Sequence, residues 1–335
     1  MNWFIRRTGH ALFTIWAVAT LSFGLIRLMP GGAAQIMTNR ATRNNPNVDR
    51  EVIARMVREQ IQIDPNAPLH VAYYQYMSGL AQGDLGHSHW AGESVNSVIA
   101  GALPWTVFLM AISTVAMFAI ALSLGAIMAY REGSGFDLGM TGIAIFFNSI
   151  PYYVAAVVFI VFLGHGTSLF PPRGRYPSSV DPGFTVDFIG GAFHHAVLPS
   201  ASFIVTGYGL LALAMRGNSI QVLGEDYVRV ARLRGLPDRR IALRYVGRNA
   251  ILPMYTSLLI SIGFMFGGSI ILEELFAYPG IGFYMFRAIE FRDMPLMMGT
   301  FLVITVGVVL AIFIGDATYG KLDPRIKSGD ESEAY

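Results

Sequence analysis

Six stretches of the chain run nearly free of charge, at 9–29, 104–130, 138–164, 196–215, 251–272 and 297–319. Each reaches the 20 or so residues that a helix needs to cross a hydrocarbon core of about 30 Å. Lipid offers backbone N–H and C=O groups no partners, so such runs must close their hydrogen bonds internally as helices. The pattern therefore predicts an all-α membrane protein with six transmembrane helices. Three polar connections are too long to be simple turns. The first, 30–103, opens with Pro30-Gly31-Gly32 and a polar stretch from Thr38 to Asn47. There Ile53, Val57 and Ile61 recur every four residues, with Glu51, Arg55, Arg58 and Glu59 on other faces, which predicts a short amphipathic helix. The second, 168–193, contains Pro171-Pro172-Arg173-Gly174 and Asp181-Pro182-Gly183 and reads as loop. The third is 216–250. In the fifth span, Gly263 and Gly267 are spaced for close helix approach.

Composition agrees with a membrane solvent. Hydrophobic residues make up 53% of the 335 positions and charged residues 14%, against roughly 25% charged in soluble domains. A net charge of +2 leaves no basic footprint for nucleic acid, and the lack of cysteine excludes disulfides, Cys-ligated zinc and iron–sulfur sites. Arg6, Arg7 and Ala17-Val18-Ala19 imitate a secretory signal, but the apolar run continues past the apparent cleavage point, which favours an uncleaved span. Positive charge then sets orientation. With a cytoplasmic N-terminus, the inner segments hold Arg6, Arg7 and Arg131, the dense set Arg216, Arg229, Arg232, Arg234, Arg239, Arg240, Arg244 and Arg248, and the terminal Lys321, Arg325 and Lys327. The expectation is a multi-pass protein of the cell (inner) membrane with both termini cytoplasmic, a large extracytoplasmic loop at 30–103 and a cytoplasmic loop at 216–250.

Within that inner loop, Glu225 to Pro237 carries the strongest local pattern. Tyr227, Val230 or Ala231, and Arg234 lie three or four residues apart. Acidic residues start the segment and Arg234 ends it, as the helix dipole favours. Gly235 marks a helix stop, Pro237 resists continuation, and Asp238 is placed to cap a second helix through Arg240, Leu243 and Val246 to Pro253. Charge alone allows the plainer reading of a loop that only holds orientation.

The pattern as a whole resembles the EAA loop of ATP-binding-cassette importer permeases. Similarity to the dipeptide/oligopeptide/nickel permease family runs through Leu28-Met29-Pro30-Gly31, Gly83-Asp84-Leu85-Gly86-His87-Ser88, Glu225 to Gly235 and Arg248-Asn249-Ala250-Ile251-Leu252-Pro253. It continues in Glu274 to Gly282, Arg292-Asp293 and Leu322-Asp323-Pro324-Arg325. Arg229 and Val230 replace the Glu and Ala of the general motif, as is usual in the peptide subfamily, and Gly32 stands where members often have Asp. The resemblance implies one permease domain over 1–335 with the type I importer fold, a second similar permease, two cytoplasmic ATPases and an extracytoplasmic solute-binding protein. It assigns coupling to the ATPase to Glu225, Tyr227, Val228, Ala231, Arg232, Arg234, Gly235 and Leu236. It also implies that this chain is not an enzyme and binds no cofactor or metal, ATP and Mg²⁺ being held by the partner ATPases.

Other chemistry is sparse. No phosphate-binding Gly-x-x-x-x-Gly-Lys-Ser/Thr occurs, and His87, His89, His194 and His195 form no His-Glu-x-x-His pattern. An ion-coupled carrier or channel needs acidic or basic groups near the midplane, which the spans lack. An intramembrane hydrolase needs a base beside Ser113, Ser123, Ser149, Ser257, Ser261 or Ser269, and no His lies mid-span. Asp316 and Arg27 sit near span ends, where a structural role reaching water is expected. Glu273 and Glu274 fit a substrate path or a loop anchor equally, and no residue here fixes the cargo.

Overall fold

The computed structural model describes residues 3–28, 42, 48–53, 68–265, 267 and 269–322. Among them the structure is helical, with one isolated antiparallel bridge between His87 and Ser94. The order is α1 (Trp3–Leu28), α2 (Leu69–Ala81), α3 (Val95–Tyr130), α4 (Gly135–Asn148) and α5 (Tyr152–Phe159), the last widening into π turns over Ile160–Gly166. There follow α6 (Val186–Leu223), α7 (Asp226–Leu233), α8 (Asp238–Arg240), π turns over Ile241–Gly247, α9 (Arg248–Ala250) and α10 (Leu252–Met265). The described chain ends with α11 (Ile270–Leu275), α12 (Ile281–Phe291) and α13 (Met294–Leu322).

Among the described residues α3, α6 and the Met294–Ile314 part of α13 are each long and apolar enough to cross a membrane. With 36 and 38 residues, α3 and α6 extend well beyond the 20 or so that a hydrocarbon core requires. The apolar run 138–164 is not one straight helix. It divides into α4 and α5 with its π extension, bent by 89°. The break falls at Ser149-Ile150-Pro151, where Pro151 is the N-cap of α5 and disfavours helix at the residue before it. Pro104 and Pro199, by contrast, lie inside α3 and α6. The fifth run likewise divides into α10 and α11. The amphipathic pattern of Ile53, Val57 and Ile61 lies outside the described residues except for the helical turn at 50–53, as do Met29-Pro30-Gly31, Asp323-Pro324-Arg325 and the side chains of Arg27 and Asp316.

The chain forms two compact units, one from 1–106, 266–270 and 279–310, the other from 107–265, 271–278 and 311–335. In the first, Val95, Val98, Ile99 and Ala102 pack on Ile281 and Ala288 of α12 and on Leu296 and Met297 of α13. The Thr106 hydroxyl accepts the Ile281 N–H at 2.7 Å, so the α12 start is satisfied by a side chain. The α1 and α2 helices meet through Thr20 Oγ1 and Tyr73 OH, 2.8 Å apart, with Phe23 between the rings of Tyr73 and Tyr76.

In the second unit, Met117, Phe118 and Ala121 of α3 pack on Tyr208, Ala212 and Met215 of α6, with Ala250 and Met254 closing the cluster. Small residues set the helix spacing. A Cβ on Gly125 would collide with the Ala212 carbonyl and lie 2.8 Å from Met215 Cβ, and one on Gly209 would lie 2.5 Å from the Ala144 carbonyl oxygen. Gly125→Val is therefore expected to lower stability by about 1–3 kcal/mol or more, because the obstructing atoms include backbone. Gly139→Ala, with nothing within 4 Å of its new methyl, should be neutral or slightly stabilising. Thermal unfolding of the two variants in detergent checks the contrast, and equal melting would refute the close-packing account.

Candidate functional site

The 216–250 loop is built on the end of α6. That helix closes at Gly224, whose N–H bonds to the carbonyls of Gln221 and Ile220, and α7 begins one residue after Glu225. Glu225 is the N-cap in extended conformation, but its side chain makes no capping bond, so Asp226 supplies the acidic charge of the first turn. At the other end, the Gly235 N–H bonds to Arg232 O at 2.9 Å and the Leu236 N–H to Ala231 O at 3.3 Å. This double bond pattern, with Gly235 at φ +69°, is a Schellman stop. It satisfies two otherwise orphaned carbonyls and reverses the chain within two residues.

One face of α7 is held down. Val228 and Ala231 are buried against Ile241 and Val246 from the π turns, with Leu236 and Tyr245 packed alongside. The Asn249 amide adds a polar tie, donating to Tyr227 OH at 3.1 Å and to Tyr245 O at 2.8 Å. The other face is open. Tyr227, Val230 and Leu233 are exposed at intervals of three, Leu233 to 82%, and Arg229, Arg232 and Arg234 flank them in solvent.

The residues expected for coupling thus separate by role. Tyr227, Arg232 and Arg234 lie on the open face, Glu225 is exposed at its start, and Gly235 forms the stop. Val228, Ala231 and Leu236 form the hidden side that holds the helix in place. Val230 and Leu233 belong to the open face but were not among the expected residues. Their signal was the three-residue spacing from Tyr227, which periodicity alone does not separate from a buried stripe. The second helix starts differently from expectation. Asp238 makes no side-chain cap, and Pro237 is the N-cap, its carbonyl accepting from Arg240 N–H at 2.8 Å. A proline at this position has no N–H to leave unsatisfied.

Two motifs far apart in sequence meet in the first unit. The Asp293 carboxylate, almost wholly buried, accepts Ser88 Oγ–H at 2.7 Å, Trp90 N–H at 2.8 Å and Leu296 N–H at 3.1 Å. It thereby caps α13 and pins the 88–91 turn. The Trp90 ring lies against Tyr284 and Phe291. Beside this carboxylate, burial pushes His89 below its ordinary value of 6.5, with Asp293 opposing the shift and His87 adding to it. In the second unit Glu273 is fully buried, and Gly174 N–H donates to Phe276 O at 2.9 Å. Burial, reinforced by Glu273 and opposed by Arg175, raises the Tyr278 phenol. Glu273 is thus part of a packed loop junction.

These features define the class first: a helical membrane protein that holds a short, basic, half-exposed helix at the end of a long membrane helix. The profile of the family described as binding-protein-dependent transport system inner membrane component matches residues 121–328, more than half of the chain, and the chain belongs to that family. It is similar to the di/tripeptide transport system permease protein DppB of Pseudomonas aeruginosa, 29% identical over 340 residues covering 98% of this chain and 99% of the relative. It also resembles the oligopeptide transport system permease protein AppB of Bacillus subtilis, 29% identical over 326 residues and 96% and 98% of the two chains. The glutathione transport system permease protein GsiC of Salmonella typhimurium is 27% identical over 332 residues, 98% and 99% of the two chains.

The space around Gly235 is open, with nothing within 4 Å of an added Cβ, so its requirement is conformational and not steric. Gly235→Asn, which tolerates a left-handed backbone, is expected to keep the loop, while Gly235→Val should cost about 1–2 kcal/mol locally. Hydrogen exchange of α7 amides checks this, and equal protection in both variants would contradict it. A second expectation concerns pH. Because the folded-state value of His89 lies below its unfolded value, the unfolded chain binds more protons in that window, and stability falls as pH drops below about 6.5. Melting curves across pH 5–8, taken as a range bracketing roughly that unfolded value, should show the slope shrinking in His89→Gln.

Proposed function

We propose that this chain is the membrane-spanning permease subunit of an ATP-binding-cassette importer that passes peptides inward. An extracytoplasmic solute-binding protein delivers the cargo, and a second, similar permease completes the pathway. Two separate cytoplasmic ATPase subunits bind ATP and Mg²⁺ and perform the hydrolysis, so this chain is non-catalytic and carries no cofactor. In this reading six spans cross the membrane, with both termini and the 216–250 loop on the cytoplasmic side and 30–103 outside.

The observation that carries the reading is the two-sided character of α7 in a chain of this family. Its Val228/Ala231 side is fixed to the protein's own core, whereas the Tyr227, Val230 and Leu233 side is presented to solvent among arginines. An apolar stripe on a short exposed helix is the form in which a helix enters a partner's groove. Movement of an ATPase that grips this side is delivered to the end of α6 through the two-residue Gly224-Glu225 junction, and to the π turns through the Gly235 stop, instead of through a slack linker. Peptide as cargo is supported by the relatives, which are permeases of di/tripeptide, oligopeptide and glutathione systems.

Two outcomes test the proposal. Leu233→Cys, introduced into a chain with no native cysteine, should cross-link to an ATP-hydrolysing subunit in membranes. Recovery of the purified chain with no such subunit, at normal expression, would overturn it. Charge reversal at Arg232 together with Arg234 should leave the chain inserted while ATP hydrolysis continues without uptake. Normal uptake by that variant would remove these two residues from the coupling face.

A further inference from the structure

The turn between α3 and α4 is fastened on both sides of α7 by polar contacts. Asp137, in the first turn of α4, has a side chain only 1% exposed. Arg216 of α6 reaches it as a fork, Nε donating to Oδ1 at 2.6 Å and Nη2 to Oδ2 at 2.7 Å. The same carboxylate accepts the Gly133 N–H at 3.0 Å, and Ser134 Oγ accepts the Asp137 N–H at 3.3 Å as the α4 N-cap. Gly133 takes a left-handed backbone, φ +73°, which lets the turn fold back onto the carboxylate. Beyond α7, the Tyr130 hydroxyl donates to the Asp238 carbonyl at 3.3 Å. The chain segments entering and leaving α7 are therefore both bonded to one short turn, 130–137.

Stability alone does not explain an ion pair here. Burying the Asp137 carboxylate and much of the Arg216 guanidinium, whose side chain stays 27% exposed, loses solvation that their attraction only partly returns, and apolar residues of similar size commonly serve as well or better. Close packing already seats α6 on both α3 and α4, with Gly125 against Ala212 and Gly209 against Ala144. What a planar, two-bond fork adds is a fixed orientation, which neither sliding apolar faces nor a lysine provides.

Building on the transport reading, we propose that Asp137 and Arg216 are positioning residues that lock the 131–137 turn to α6, so that displacement of α7 is carried into α4 as rigid-body motion. Without the fork the end of α6 flexes against the turn, and the input is dissipated before it reaches α4.

The test uses paired spin labels at Gln221→Cys on the exposed last turn of α6 and Ile145→Cys on the exposed side of α4, in the otherwise cysteine-free chain. Arg216→Met alone leaves the buried Asp137 carboxylate unpaired and is expected to reduce the yield of folded protein. The double variant Asp137→Asn/Arg216→Met removes both charges and should restore that yield. In lipid nanodiscs the unsubstituted pair should give a narrow inter-label distance distribution and the double variant a broad one. In the complex with the ATPase subunits, the unsubstituted distribution should be the same without nucleotide and with a non-hydrolysable ATP analogue. In the double variant it should shift with nucleotide. Equal widths in nanodiscs, or a nucleotide-dependent shift in the unsubstituted pair, would overturn the proposal. Failure of the transport reading would register separately, as a chain that purifies without ATP-hydrolysing subunits while the nanodisc comparison still reports on the fork.

Discussion

Hydrocarbon leaves a backbone polar group nowhere to bond except within its own segment, and this constraint orders the molecule. Helix fills most of the apolar runs, and among the described residues several departures from it are paired with a device that satisfies the freed groups. Ser134 caps α4, Thr185 caps α6, and Asp293 caps α13 while holding the 88–91 turn. Thr106 takes the first N–H of α12. Among the described residues the strongly buried carboxylates, Asp137, Glu273 and Asp293, lie at helix starts or in short helical turns. Buried acidic charge is thus concentrated where helices begin and end.

The 216–250 loop follows the same economy. A helix of eight residues is too short to be stable alone in water. It persists because Val228 and Ala231 are buried against the π-helical turns and because Gly235 closes its last carbonyls. Holding only one side leaves the other available to a partner, and the arginines around Leu233 keep that exposed apolar stripe soluble. Stability and availability therefore come from opposite faces of the same two turns.

Much of this was legible in the chain. The α7 helix, its glycine stop, the second helical segment and the positions of the longest apolar helices follow from local spacing, because caps, stops and apolar length are properties of neighbouring residues. Legibility ended where a choice depended on distant partners. Tyr227, Val230 and Val228 look equally apolar in sequence, and only Ile241 and Val246 packing from below decide that Val228 turns inward. Asp238 has the right residue type for a cap, yet Pro237 took the position since its fixed φ suits a helix start and it has no N–H to satisfy. The run 138–164 looked like one span because its composition is uniform, but Pro151 following Ser149 and Ile150 bends it by 89°.

The amino-acid sequence by itself determined the solvent, the helical class, the kinship to binding-protein-dependent permeases and the site of the glycine stop, because each is written in local composition or in short ordered motifs. Tertiary structure decided which side of α7 is open, that Asp293 answers to Ser88 across 205 positions, and that Arg216 forks onto Asp137 across 79. The reason is physical. A carboxylate or a guanidinium acquires its role from the atoms that replace its lost water, and those atoms are chosen by packing, not by neighbours along the chain.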